Sequence, residues 1–171
     1  EPTLFMGFVS QLLASLRANG IGTLIETCGQ FDFDKFMDAL YPNLDAVYYD
    51  IKLFDNDAHE RYCGVSNARI LENFTRLCTE ARAGAKILLP RIPLIPDITD
   101  TMENISGIAG FLRSLGVNKA ALMAYNPLWH EKCGKIGTRD PLRTDGLMDS
   151  WPGRERMMRC REILGREGIE S

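Results

Sequence analysis

Asp50, Ile51 and Lys52 stand at the end of a run with strand character, so the carboxylate and the ammonium project from one face and share a location. Such a pair can work as an acid and a base, or it can be a plain ion pair at a strand end, and both readings stay open. Arg91 lies between Pro90 and Pro93 inside an otherwise apolar stretch, where a cation needs an anionic partner because burying it alone is costly. That partner is either a ligand carboxylate or Glu26 or Asp50 from a neighbouring strand. Thr27-Cys28-Gly29 has the composition of a tight turn, able to present backbone N–H groups or simply to connect a strand to a helix. The two histidines, His59 and His130, have no partner at ligand spacing and read as surface residues. Five cysteines at wide separations, with no CxxC, exclude a disulfide framework and a self-contained metal site, and a lone thiol such as Cys28 without a nearby histidine reads as inert.

Elements must bring these residues together. Apolar positions at three- and four-residue intervals predict helices over 5–16, 32–40 (capped by Asp32 or Asp34), 70–83, 102–115 and 154–168. Asn19-Gly20, Gly84 and Gly116 supply helix stops. Short β-branched and apolar runs predict strands over 21–25, 46–49, 86–94 and 119–124. Strands alternating with helices of this length imply βαβ units, right-handed crossovers and a parallel sheet, so the fold class is α/β. Met157, Cys160 and Leu164 form a helical core stripe, and residues 126–153 read as an irregular loop. All four strands end on polar residues: Glu26 and Thr27, Asp50 and Lys52, Arg91, then Tyr125 and Asn126. In parallel α/β folds that edge is where sites are built.

The chain has 171 residues, 45% hydrophobic and 25% charged, which suits a single folded domain. A net charge of −3 without a basic run argues against nucleic acid as a partner, and no apolar stretch is long enough to cross a bilayer, so a cytoplasmic protein without a membrane contact is expected. The chain opens on Glu1-Pro2 and enters a helical pattern at once, which reads as the middle of something longer.

Taken in order, these segments resemble the radical S-adenosylmethionine activating enzymes of glycyl radical enzymes, typified by pyruvate formate-lyase activating enzyme. Glu1-Pro2-Thr3-Leu4 looks like the end of that family's GGEP motif, and Ile25-Glu26-Thr27-Cys28-Gly29 like its ETSG or DTNG segment. Asp50-Ile51-Lys52 matches its DxK strand end. Tyr62-Cys63-Gly64-Val65-Ser66-Asn67 with Ile70-Leu71-Glu72-Asn73 looks like YTGVSN and ILEN, and Arg91 to Pro96 like RxPLIPG. The resemblance covers nearly the whole chain. It implies an incomplete TIM-like partial barrel of about four βα units, with the N-terminal strands missing, as one domain over 1–171.

It also implies an oxidoreductase that cleaves S-adenosylmethionine to a 5′-deoxyadenosyl radical, which takes hydrogen from a glycine of a pyruvate formate-lyase-like partner, with flavodoxin or ferredoxin as electron donor. Glu1, Thr27, Asp50, Lys52, Arg91 and Asn126 would contact S-adenosylmethionine, and Glu26 with Asp50 would line a monovalent cation. The family holds a 4Fe–4S cluster on CxxxCxxC, a spacing that these five cysteines do not reproduce, so this piece alone is expected to be inactive. Asp97 replaces the glycine after the IP pair, and Asn126 the usual histidine. The competing readings are another radical S-adenosylmethionine enzyme acting on a small molecule, an aldolase-like barrel with Lys52 as a Schiff-base lysine, and a non-catalytic scaffold.

Overall fold

The computed structural model describes residues 1–138 and 148–171. A 3₁₀ turn, Pro2–Phe5, leads into α1 (Met6–Ala18), followed by β1 (Leu24–Thr27), α2 (Phe33–Ala39), β2 (Ala46–Asp50), α3 (Asn56–Cys63), α4 (Ala68–Gly84), β3 (Ile87–Leu94), α5 (Met102–Ser114), β4 (Ala121–Ala124), α6 (Trp129–Ile136) and α7 (Arg154–Arg166). All pairings between these strands are parallel, and the sheet order is β1-β2-β3-β4. Strands laid down in sequence order by crossovers of one hand put their helices on one face, the arrangement from which a barrel is wound.

Side-chain alternation shows the consequence. Ile25, Val47, Tyr49, Ile92 and Leu94 join the core with Phe36, Phe74, Leu77, Ile105, Ile108 and Leu112 of the helices. The alternate residues Leu24, Glu26, Tyr48, Asp50 and Arg91 point to the other face and are only partly buried or exposed. The fold thus has a packed side and an open side, and the chemistry-bearing residues are on the open one.

Several expectations need correction. β1 begins three residues later than residues 21–25, at Leu24, because the Asp45 carboxylate takes the Thr23 N–H at 2.8 Å and so keeps it out of the strand ladder. Residues 126–153 are not irregular throughout: α6 occupies Trp129–Ile136, preceded by a turn in which Asn126 Oδ1 accepts the Leu128 N–H at 3.0 Å, and closed by Gly137 at φ 69°. The part of that loop over 139–147 lies outside the described residues. The C-terminal helix stops at Arg166 rather than 168, where Gly168 turns at φ 75°. His59 is not a surface residue: it is buried on α3, with Nδ1 2.7 Å from the Val65 carbonyl. The side chain of His130 lies outside the described residues.

Candidate active site

The in-register pairing of β2 with β3 sets Asp50 beside Arg91. From there the Arg91 guanidinium reaches Asp50 Oδ1 through Nε at 3.0 Å and Nη2 at 2.8 Å, and Glu26 Oε1 through Nη1 at 2.6 Å. It also lies 5.8 Å from the centre of the Tyr48 ring, within cation–π range. The neighbouring carboxylates are thus its partners in this structure. Its side chain is only 12% exposed. That burial opposes the charge, yet the hydrogen bonds and charges of Asp50 and Glu26 raise its pKa. Lys52 Nζ completes the group at 3.4 Å from Asp50 Oδ2, a long contact that leaves ammonium protons to spare.

Glu26 and Asp50, the two carboxylates expected to line a monovalent cation, both pair with Arg91. The Arg91 guanidinium joins the two carboxylates and supplies the positive charge itself. Among the described residues no cluster of His, Cys, Asp and Glu is arranged to hold a metal ion.

Glu1 sits at the neighbouring strand tip. Its Oε2 accepts the Cys28 N–H at 2.8 Å, and Oε1 accepts the hydroxyls of Thr27 at 3.0 Å and Thr3 at 2.7 Å. Burial works against ionisation, but hydrogen bonds from Cys28, Thr3 and Thr27 outweigh it and hold the carboxyl down at about 2, against an ordinary 4.5. The turn that presents the Cys28 N–H is tight. Gly29 has φ 82°, and a side chain there would run into the Tyr49 ring. Tyr49 donates its hydroxyl to the Ile70 carbonyl at 2.7 Å, while the Asn73 amide donates to the carbonyls of Gly29 and Phe31, both at 2.9 Å. The turn is therefore bound from below by neutral groups. Burial, then the Glu1 carboxylate, pushes the Cys28 thiol up, the opposite of what an activated nucleophile requires.

A groove of about 670 Å³ opens beside these residues. Glu1, Glu26, Thr27, Cys28, Asp50 and Arg91 line its polar end, and Leu12, Leu16, Leu24 and other α1 and β1 side chains its apolar length. Six of the residues singled out from sequence (Glu1, Glu26, Thr27, Asp50, Lys52 and Arg91) thus gather at one end of β1–β3. Asn126 does not join them. It sits in the turn that precedes α6, beyond β4 at the opposite edge of the sheet, and lines a separate groove with Trp129 and Lys132. Tyr48 was missed, although two-residue alternation with Asp50 puts it on the same face. Asp97 keeps the conformation of the glycine it replaces, at φ 58°, with its N–H donating to Asp100 Oδ1 at 2.7 Å and its carboxylate paired with Arg156.

No protein-family model matches the chain. The isethionate sulfite-lyase activating enzyme of Desulfovibrio desulfuricans is 37% identical over 155 residues, covering 86% of this chain and 49% of that protein. The (2S)-3-sulfopropanediol dehydratase activating enzyme of Klebsiella oxytoca is 36% identical over 140 residues, 80% of this chain and 43% of that one. The pyruvate formate-lyase-activating enzyme of Staphylococcus epidermidis is 33% identical over 143 residues, 80% of this chain and 55% of its own. The chain therefore spans about half the length of the curated relatives it matches. A crystal structure of a domain of pyruvate-formate lyase-activating enzyme from Bacteroides vulgatus superposes with a TM-score of 0.75 at 25% identity, over 99% of this chain and 91% of that one.

Proposed function

We propose, for a chain that belongs to the activating enzymes of glycyl radical enzymes and spans about half their length, that the protein containing it binds S-adenosylmethionine at the β1–β3 strand tips and activates a partner enzyme at a glycine. The observation that carries this reading is the gathering of Glu1, Thr27, Asp50 and Arg91 at one groove, with Lys52 paired to Asp50 beside it, within the span shared with those relatives. S-adenosylmethionine, when bound, supplies the hydrogen-abstracting chemistry. The residues present suit its amino-acid end. Lys52 has protons left for a carboxylate, and Arg91 can exchange Glu26, whose side chain is 56% exposed, for a ligand oxygen at little cost. Glu1 keeps the turn at Cys28 shut and its backbone in place beside the groove. Asn126 contributes only from the distant edge, so a role at the same ligand needs a substrate that spans the sheet.

The described cysteines do not fit a 4Fe–4S cluster: Cys78, Cys133 and Cys160 are buried, and no metal-holding cluster forms around Cys28 or Cys63. The ligands of such a cluster belong to another part of the protein, and an electron donor such as flavodoxin or ferredoxin would serve that part. The relatives act with different partners, and among these a pyruvate formate-lyase-like enzyme is the partner we propose.

The test is anaerobic reconstitution of the complete protein with iron and sulfide, followed by incubation with S-adenosylmethionine and a reductant. Release of 5′-deoxyadenosine and methionine is expected, with a glycyl radical signal on the cognate partner. A reconstituted protein that binds S-adenosylmethionine but turns over a small molecule, with no protein radical, would favour a different radical enzyme. An adduct trapped by borohydride on Lys52 would replace both readings with aldolase chemistry.

A further inference from the structure

We infer that Asn104 is a positioning residue for the Asp50–Lys52 strand end. This rests on the S-adenosylmethionine reading above and names a residue that the strand tips themselves do not contain. Asn104 is on α5, a helix of the packed side, and is buried. Its single amide makes three hydrogen bonds to two different loops. Nδ2 donates to the Lys52 carbonyl at 2.9 Å and to the Thr99 carbonyl at 2.8 Å, and Oδ1 accepts the Phe54 N–H at 2.8 Å. The loop after β2 carries Lys52. The loop that follows β3 comes directly after the Arg91 strand. One side chain therefore fixes the distance between the segments bearing the two cations of the site.

The carboxamide is the only side-chain group that fits this task. Two donors and an acceptor on one short planar group are required, and a carboxylate or a hydroxyl lacks one donor or both. The surroundings fix the amide in turn. Thr101, the N-cap of α5, accepts the Asn104 N–H at 3.2 Å, so the side chain leaves a helix start that is itself capped. The same loop is held on its apolar side by Phe54, whose ring lies over Gly107 one turn further along α5. A Cβ on Gly107 would come within 2.6 Å of that ring. Asn67 grips it from α4, donating to the carbonyls of Leu53 at 3.0 Å and Phe54 at 2.7 Å. The backbone is thus clamped from residue 52 to residue 54, and what stays adjustable is the Lys52 side chain.

Two readouts test this. In the 171-residue chain, amide hydrogen exchange at Phe54 should accelerate about tenfold or more in Asn104→Ala. Asn104→Asp keeps the acceptor for that N–H but turns a buried carboxylate on the Lys52 and Thr99 carbonyls, so it should accelerate exchange as well. Ile108→Val, a buried α5 change that removes none of these hydrogen bonds, controls for a general loss of stability in that helix. In the complete reconstituted protein, Asn104→Ala should raise KM for S-adenosylmethionine about tenfold with a smaller change in kcat, while Ile108→Val leaves both near parent values. Unchanged exchange at Phe54 overturns the clamp. Faster exchange with KM equal to that of Ile108→Val overturns the positioning role. If the parent protein binds no S-adenosylmethionine, the proposed function falls and this assignment with it, an outcome seen in the parent before any variant is made.

Discussion

The two ends of the sheet treat charge differently. At the end where strands begin, charged groups bind the backbone. Lys86 donates to the carbonyls of Tyr41 at 2.6 Å and Leu44 at 2.7 Å and lies 4.5 Å from the Tyr41 ring centre, and Asp45 accepts the Thr23 N–H. At the end where strands finish, Arg91, Asp50, Glu26 and Lys52 bind one another, and apart from the Glu1 carboxylate on the Cys28 N–H the backbone is held by the neutral groups of Tyr49, Asn73 and Asn104. A charge spent on a fixed carbonyl or N–H cannot leave without opening a turn. A charge paired with another side chain can change partners. The first end is built for stability and the second for exchange with a ligand, although both have a similar inventory of ionisable residues.

The neutral scaffold at the strand tips should therefore be the most sensitive point. Gly29→Ala adds a side chain at a positive φ and into the Tyr49 ring, so a loss of about 3 kcal/mol is expected in urea denaturation. A loss under about 1 kcal/mol would show that the turn is loosely held and would weaken the contrast. Arg91→Met should cost less, about 2 kcal/mol, because Asp50 keeps Lys52 and some solvent. Its larger effect should be on ligand binding in the complete protein. If Arg91→Met instead abolished folding, the ion group would be structural and the two ends would not differ in kind. At the opposite end, Lys86→Met takes the ammonium from the Leu44 carbonyl and from the Tyr41 carbonyl, which keeps only the Leu44 N–H. Calorimetric unfolding should report a loss of about 1.5 kcal/mol, with affinity for S-adenosylmethionine unchanged.

This contrast was only half legible in the sequence. Periodicity marked the four strands and the long helices, because apolar faces at two- and three-to-four-residue spacing are what the sheet and its packed side select. Polar residues at all four strand ends were equally plain. α3 was not, since Asn56–Cys63 buries only His59 and has no apolar stripe; Asp55, accepting the Ala58 N–H at 2.8 Å, and Gly64 at φ 77° define it instead. The partner of Arg91 stayed open because strand register is a tertiary fact: a shift of one residue would have turned Asp50 to the packed side. Asn126 looked equivalent to the other strand-end residues because sequence gives no distance across a sheet, and β4 is the far edge. The role of Asn104 was hidden for a related reason: an asparagine near a helix start reads as local capping, whereas its bonds reach 52 residues back along the chain.

Acid sharpens the comparison at Glu1. Its folded pKa of about 2 lies below the ordinary 4.5, so its contribution is complete above about pH 4.5 and disappears as pH falls towards 2. NMR of the Cys28 amide should follow that titration as the carboxylate loses its charge and releases the N–H. In Glu1→Gln the Cys28 shift should stay flat over the same range. A midpoint near 4.5 in the parent would mean that the clip to the turn is not formed in solution.

The smallest effect expected is at Asp97, where two opposing contributions nearly cancel. The residue holds φ 58°, a left-handed conformation that costs a non-glycine residue about 1 kcal/mol, so Asp97→Gly relieves strain. The same change removes an exposed ion pair with Arg156, worth about 0.5 kcal/mol, and makes the unfolded chain freer by a similar amount. The net change should lie within about 0.5 kcal/mol of zero. Asp97→Ala separates the two causes, because it loses the ion pair and keeps the strain, and it should cost about 0.5 kcal/mol. If both variants lose stability equally in parallel urea titrations, the charge on Arg156 rather than the turn is what Asp97 serves, and the loop after β3 depends on a side-chain pair after all. If only Asp97→Ala loses stability, conformation decides, and the loop after β3 is fixed independently of the charges around it.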